Sequence, residues 1–136
     1  MTMDNTILIW KYLLPLLQQN EELLKYVPET SIYPLVALSD TPFPYIIYRR
    51  DSLVPQYTKH LPGVGGWINN IQLSISVYSD NYDEAVYIAN IVRDILEDYR
   101  YDGEDIIIHN IELSQSYESY SENGFQQNLV FNLTAE

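Results

Sequence analysis

The stretch Ile71-Gln-Leu-Ser-Ile-Ser-Val-Tyr-Ser-Asp-Asn-Tyr-Asp-Glu-Ala-Val-Tyr-Ile-Ala-Asn-Ile-Val-Arg-Asp-Ile-Leu96 changes its hydrophobic period without a break. Ile71, Leu73, Ile75 and Val77 alternate with Gln72, Ser74, Ser76 and Tyr78. A period of two makes one face of a strand apolar and leaves the other wet. After Ser79-Asp80-Asn81, the residues Ala85, Ile88, Ala89, Val92, Ile95 and Leu96 recur at three- and four-residue steps, one stripe of an α-helix. A one-faced strand that hands directly to a one-faced helix predicts a sheet with helices laid on one side. The other sheet face is then polar and free to meet something else.

Within and around this stretch, Trp67 to Tyr78 reads as the main strand and Asn81 to Tyr99 as the main helix, with Asn81 and Glu84 at capping-box spacing. Upstream, residues 4–18 read as a helix capped by Asp4 or Asn5, with Ile7, Trp10, Leu14 and Leu17 on one side and Pro15 kinking or restarting it. Asn20 caps a short turn from Glu21 to Tyr26. Ile32 to Leu38 reads as a short strand that Pro34 confines to an edge. Ser39 to Pro44 is a turn, and Tyr45 to Asp51 is a strand with Ile46 and Tyr48 on one face. Residues 52–66 hold Pro55, Pro62, Gly63, Gly65 and Gly66, which predicts a long loop or the twisted tip of a long hairpin. Downstream, Tyr101 to Asp105 is an acidic turn around Gly103. Ile106 to Tyr117 is a strand with Ile107, Ile111 and Leu113 on one face. Gly124 marks a hairpin tip, and Phe125 to Leu133 is the last strand. The expected fold is one α+β domain over residues 1–136, in the order α-β-β-β-α-β-β. Few connections are long enough for a parallel crossover, so a mostly antiparallel sheet follows.

A chain of 136 residues suits one domain that buries roughly two thirds of its surface on folding. The net charge of −12 argues against a nucleic-acid-binding surface, because phosphate contacts need clustered Lys and Arg. It leaves room for DNA to pass nearby without sticking, and it also serves solubility. There is no cysteine, which removes disulfides and thiolate chemistry. The start Met1-Thr-Met-Asp4 has no basic n-region, and Ile7 to Leu17 is interrupted by Lys11 and far short of the ~20 residues of a membrane span. The expectation is a soluble intracellular protein with no membrane partner. The 13 tyrosines against 3 phenylalanines suit half-buried surfaces and interfaces, and also strands.

Little in the chain points to chemistry. His60 falls in the loop and His109 in a strand, without a second His or a Cys at ligand spacing, so no metal site is expected. Asp98-Tyr-Arg-Tyr-Asp102-Gly103 resembles the opening of a calcium loop, but Arg100 and His109 stand where ligands are required. Leu61-Pro-Gly-Val-Gly-Gly-Trp67 lacks the Gly-Lys-Ser/Thr of a phosphate loop. No catalytic constellation or cofactor is expected, so the chain reads as no enzyme. A charge contrast does stand out. Asp80 to Asp105 holds nine acidic and two basic residues, whereas Arg49, Arg50 and Lys59 lie in the second strand and the loop after it. Subunits with an acidic side and a basic side associate head to tail, and heterologous contacts that close make rings. Chance scatter of surface charge is the plain alternative.

Phe43-Pro-Tyr-Ile-Ile-Tyr48 with Ile71-Gln-Leu-Ser-Ile-Ser-Val-Tyr-Ser-Asp-Asn-Tyr-Asp83 and the helix Glu84 to Glu97 resembles the tail-completion, or tail-terminator, proteins of long-tailed bacteriophages. Those proteins share an opening helix, a strand near a Pro-Tyr-aliphatic motif, and a strand ending in an aromatic-Ser-Asp turn that opens a helix. The order matches from about Ile7 to Leu133, least well at Pro15 and over residues 114–123. The resemblance implies a structural virion protein of the tail or neck, assembled in the host cytoplasm. It implies a ring of copies of itself, commonly six, that stops the tail tube protein and meets the head connector proteins. DNA would pass through its lumen without specific binding, since a negative lumen repels phosphate. The expected oligomer and partner interface is Arg49, Arg50, Tyr57, Lys59, His60 and Trp67, which include the residue types that most often carry interface energy. The alternative is a small ligand- or peptide-binding regulatory domain with a ferredoxin-like sheet, recognisable by a deep apolar pocket with converging polar groups.

Overall fold

The computed structural model describes residues 4–56 and 68–136. Helices α1 (Ile9–Gln18) and α2 (Glu21–Leu24) come first, then strands β1 (Ile32–Pro34), β2 (Tyr45–Gln56) and β3 (Ile68–Ser79). Helix α3 (Tyr82–Leu96) follows, then β4 (Tyr101–Asp102), β5 (Ile107–Ser121) and β6 (Gly124–Ala135). Among the described residues, these six strands form one sheet in the order β1-β2-β3-β6-β5-β4. The β1–β2 pair is parallel, and the other neighbours are antiparallel. The fold is mixed helix and sheet, as expected, with α2 and the two-residue β4 as short additions.

The β3–α3 switch forms as its periods dictate. Ile71, Leu73, Ile75 and Val77 are buried, as are Ala85, Ile88, Ala89, Val92 and Leu96. All but Ala85 join one apolar cluster with Ile9, Leu13 and Leu17 of α1, Leu23 of α2, Ile46 and Tyr48 of β2, and Leu129, Phe131 and Leu133 of β6. The α3 N-terminus is closed by Asn81, whose side-chain oxygen accepts from the Glu84 N–H at 3.0 Å. The Glu84 carboxylate does not return to Asn81. It accepts from the Ser79 hydroxyl at 2.8 Å, and that hydroxyl accepts from the Asn81 N–H at 3.1 Å. Ser79 thus relays the reciprocal half of the capping box from a fully buried position. Asn81→Ala is expected to cost about 1 kcal/mol, read as a shift of the urea midpoint, while Asn81→Asp should cost little.

At the other end of α3, Asp98 takes a left-handed conformation (φ 68°), and its N–H donates to the Ile111 carbonyl at 2.8 Å. The residue that opens the calcium-like stretch therefore ends a helix. Gly124 (φ 87°) lies so close to its neighbours that an added Cβ would sit 2.6 Å from the Ser79 carbonyl oxygen, so this turn requires glycine.

The structure departs from the sequence expectations in α1, β5 and β2, and also in β1, which stops at Pro34. The α1 stripe is centred on Ile9, Leu13 and Leu17, not on Ile7, Trp10, Leu14 and Leu17; Ile7 is 65% exposed. The chain enters as a 3₁₀ turn over Thr6–Leu8, which has three residues per turn and throws Ile7 out of phase with the α-helix. Asp4, not Asn5, closes this start, accepting from the Thr6 N–H at 2.9 Å and the Thr6 hydroxyl at 2.6 Å. In β5 the buried residues are Ile108 and Ile111, while Ile107 is half-buried. A register shift between Ile108 and Ile111 inserts one extra residue against β6 and inverts the alternation. Finally, β2 runs on to Gln56, five residues past its expected end, as one arm of a long hairpin with β3.

Candidate functional site

Of the six residues expected at an interface, Arg49 and Arg50 fall among the described residues; Tyr57, Lys59, His60 and Trp67 lie outside them. Strand alternation sends the two arginines to different places. The Arg50 guanidinium donates to the Ile7 carbonyl at 2.8 Å and so buttresses the N-terminal turn. The Arg49 Nε donates to Asp51 Oδ1 at 2.7 Å, on the sheet face that carries Gln72 and Ser74.

Asp51 cannot be singled out from the sequence, because nothing there marks its bulge. The β2–β3 register shifts between Arg50 and Ser52, which leaves Asp51 as the extra residue. A bulge re-aims a side chain, and here the carboxylate also accepts from Gln72 Nε2 at 3.1 Å and from the Ser74 hydroxyl. Further along the same face, Asn128 Oδ1 accepts from Ser76 Oγ at 2.7 Å and from Gln126 Nε2 at 2.8 Å. The face expected to be wet is therefore knitted into a hydrogen-bond ladder, and Ser74, Ser76 and Asn128 are buried. Toward the end of the sheet it opens into a hollow of about 460 Å³ lined largely by Asn70, Gln72, Asn110, Glu112 and Asn132. The buried Asn110 Oδ1 there has no hydrogen-bond partner among the described residues.

Burial raises the Asp51 pKa, but the bonds from Ser74, Arg49 and Gln72 outweigh it and hold the carboxyl below the ordinary range. Asp4 behaves alike: burial raises its pKa, and the Thr6 and Asn69 bonds lower it further than burial lifts it. A depressed folded pKa contributes stability that is complete above the unfolded value near about pH 4 and is lost as pH falls through the folded value. Urea midpoints should therefore fall between about pH 5 and pH 2, and Asp51→Asn should flatten that fall, because its side chain no longer titrates. An unchanged acid slope in the Asn variant would contradict this assignment.

The surplus of tyrosine is used in two ways. Phe43, Tyr45 and Tyr78 form a stack, with centroids 5.7 Å and 4.7 Å apart in turn, that covers one corner of the sheet. Tyr120 and Tyr82 both contact Phe125 at the β5–β6 tip, where Tyr120 is 72% exposed. His109 Nε2 lies 2.8 Å from the Glu136 carboxylate on the surface. Among the described residues no group of three or more His, Cys, Asp or Glu is placed to hold a metal ion, and no helix is long and apolar enough to cross a membrane.

A second surface feature has almost no trace in the sequence. Ile7, Leu8, Trp10, Lys11, Pro34, Leu35, Tyr48 and the two arginines line a groove of about 410 Å³ beside the β1 edge. The sequence predicts a strand that continues through Leu38. Instead β1 stops at Pro34, Leu35 turns into the left-handed region (φ 64°), and Leu35, Val36 and Leu38 are left exposed. The one available signal is Pro34 itself, which cannot donate to a sheet ladder.

The family profile described as tail completion protein gp17 matches residues 11–133. A chain in the solved structure of the virion of a native gene transfer agent (GTA) particle superposes with a TM-score of 0.67 at 15% identity, over 89% of each chain. At that identity the likeness establishes the fold. No curated protein sequence matches the chain.

Proposed function

Because the chain belongs to the tail completion protein gp17 family and is a structural protein of the phage tail, we propose that it forms a closed ring at the head-proximal end of the tail. There it ends the tail tube and joins it to the head connector. The family match over residues 11–133 carries this reading. The role is one of assembly, not of bond-making chemistry, in the virion and, before that, in the host cytoplasm. The partners are further copies of this chain, the tube protein and the connector, with DNA passing through the lumen unbound. The net charge of −12 supports that last point, because neutralisation of phosphates is what retains DNA.

In this reading helices α1–α3 cover one face of the sheet. Support comes from the single apolar cluster that alternate strand residues share with all three helices, and from the polar residues Gln72, Ser74, Ser76 and Asn128 between them. Arg49 and Arg50 remain the residues proposed at the subunit contact. Tail tubes polymerised with and without the protein test the role by electron microscopy. Tubes closed at one end by a ring are the expected result; tubes of unaltered ends and lengths would overturn it.

A further inference from the structure

Resting on the ring reading above, we infer that the groove beside the β1 edge receives the acidic β4 turn, Asp102–Asp105, of a second copy of this chain. The two features lie at opposite edges of one sheet, since β1 and β4 are its first and last strands. Within one copy the N-terminal turn runs between them, held by Asn5 on the Asp105 carbonyl and by Arg50 on the Ile7 carbonyl. Both edge strands are short, three and two residues, and leave side chains, not a long bare ladder, to make the contact.

The charges are complementary and unspent. Among the described residues, Lys11 and Arg50 have no carboxylate partner: Lys11 lies over the Tyr12 ring at 5.9 Å and Arg50 is bonded to a backbone carbonyl. At the other edge Asp102, Glu104 and Asp105 are exposed, and none of them pairs with a cation among the described residues. The turn is already held in place, which lowers the ordering cost of docking. The Gly103 N–H donates to the Ile106 carbonyl at 3.0 Å, and Asn5 Nδ2 donates to the Asp105 carbonyl at 2.9 Å. The groove supplies apolar area as well: Ile7, Leu8 and Leu35 are 65%, 47% and 71% exposed, and partly exposed Tyr101 flanks the incoming turn. A basic apolar groove at one edge and an acidic turn at the other make a heterologous contact, which propagates and can close.

The chain has no cysteine, so engineered thiols report this contact cleanly. Leu35→Cys and Glu104→Cys are prepared as separate proteins, mixed at equal amounts under assembly conditions and oxidised. Cysteines bridge only when their Cα atoms come within about 7 Å. A disulfide-linked dimer that forms in the mixture, at least about tenfold above either protein alone, is the expected result. Links within one preparation alone would mean a two-fold contact and would overturn the proposal. Assembled rings, seen by mass, with no mixed link would overturn this docking while leaving the ring reading intact. A protein that stays monomeric even with tail tubes present would overturn both.

Discussion

Replacing Phe131 with alanine is expected to lower folding stability by about 3–5 kcal/mol, the range for emptying a fully buried phenylalanine site. Phe131 is the largest side chain in the core with no exposed surface. It sits on β6 between Leu73 of β3 and Leu113 of β5 in register, inside the cluster that also holds the buried stripe of α3. Three elements lose contacts together, and little can collapse into the space left behind. A domain of this size commonly has only about 5–15 kcal/mol in total, so the variant should unfold at far lower urea. Leu38→Ala is the contrast. Leu38 is 80% exposed, and its loss should change stability by no more than about 0.5 kcal/mol. Equal effects at the two positions would contradict the assignment of the core.

The second large effect concerns assembly. Reversing Arg49 and Arg50 together to glutamate is expected to abolish ring formation, read as loss of every species above the monomer in sedimentation. The variant should remain folded by circular dichroism, though less stable. A carboxylate at position 49 would repel Asp51, to which Arg49 now donates at 2.7 Å. A carboxylate at position 50 could no longer donate to the Ile7 carbonyl. The exposed Arg49–Asp51 pair itself is worth no more than about 1 kcal/mol, so the fold can absorb the change. Replacing both arginines with glutamine separates charge from shape: that variant should weaken assembly less than the double reversal. Rings that survive the double reversal would remove these arginines from the contact.

How far the sequence discloses this molecule depends on how local the determining physics is. The β3–α3 switch is legible because each element buries one face, and side-chain periods of 2 and 3.6 report that directly. The caps at Asn20 and Asn81 are legible because a short polar side chain next to a helix start has one main use. The long hairpin is only half visible: Ser52 to Gln56 carries polar residues and Pro55, and its pairing with Ile68 to Gln72 is a property of the partner strand. The bulges at Asp51 and in β5 are invisible, since one extra residue shifts every later side chain without leaving a mark in composition. The same holds for the candidate site. Adjacent arginines can be read off the chain, but not that one braces the N-terminal turn while the other joins the Asp51 group. The groove needs three segments distant in sequence, Ile7 to Lys11, Pro34 to Leu35 and Tyr48 to Arg50, brought to one edge of the sheet.

Above all else, this acidic chain is proposed to work by joining copies of itself on the end of a tail. Native mass measurement of the protein with tail tubes puts that to the plainest trial. A closed species at a whole multiple of the 15.9 kDa chain, with six copies, is the expected finding. A particle that holds the mass of one chain at high concentration, and in the presence of tubes, would refute it.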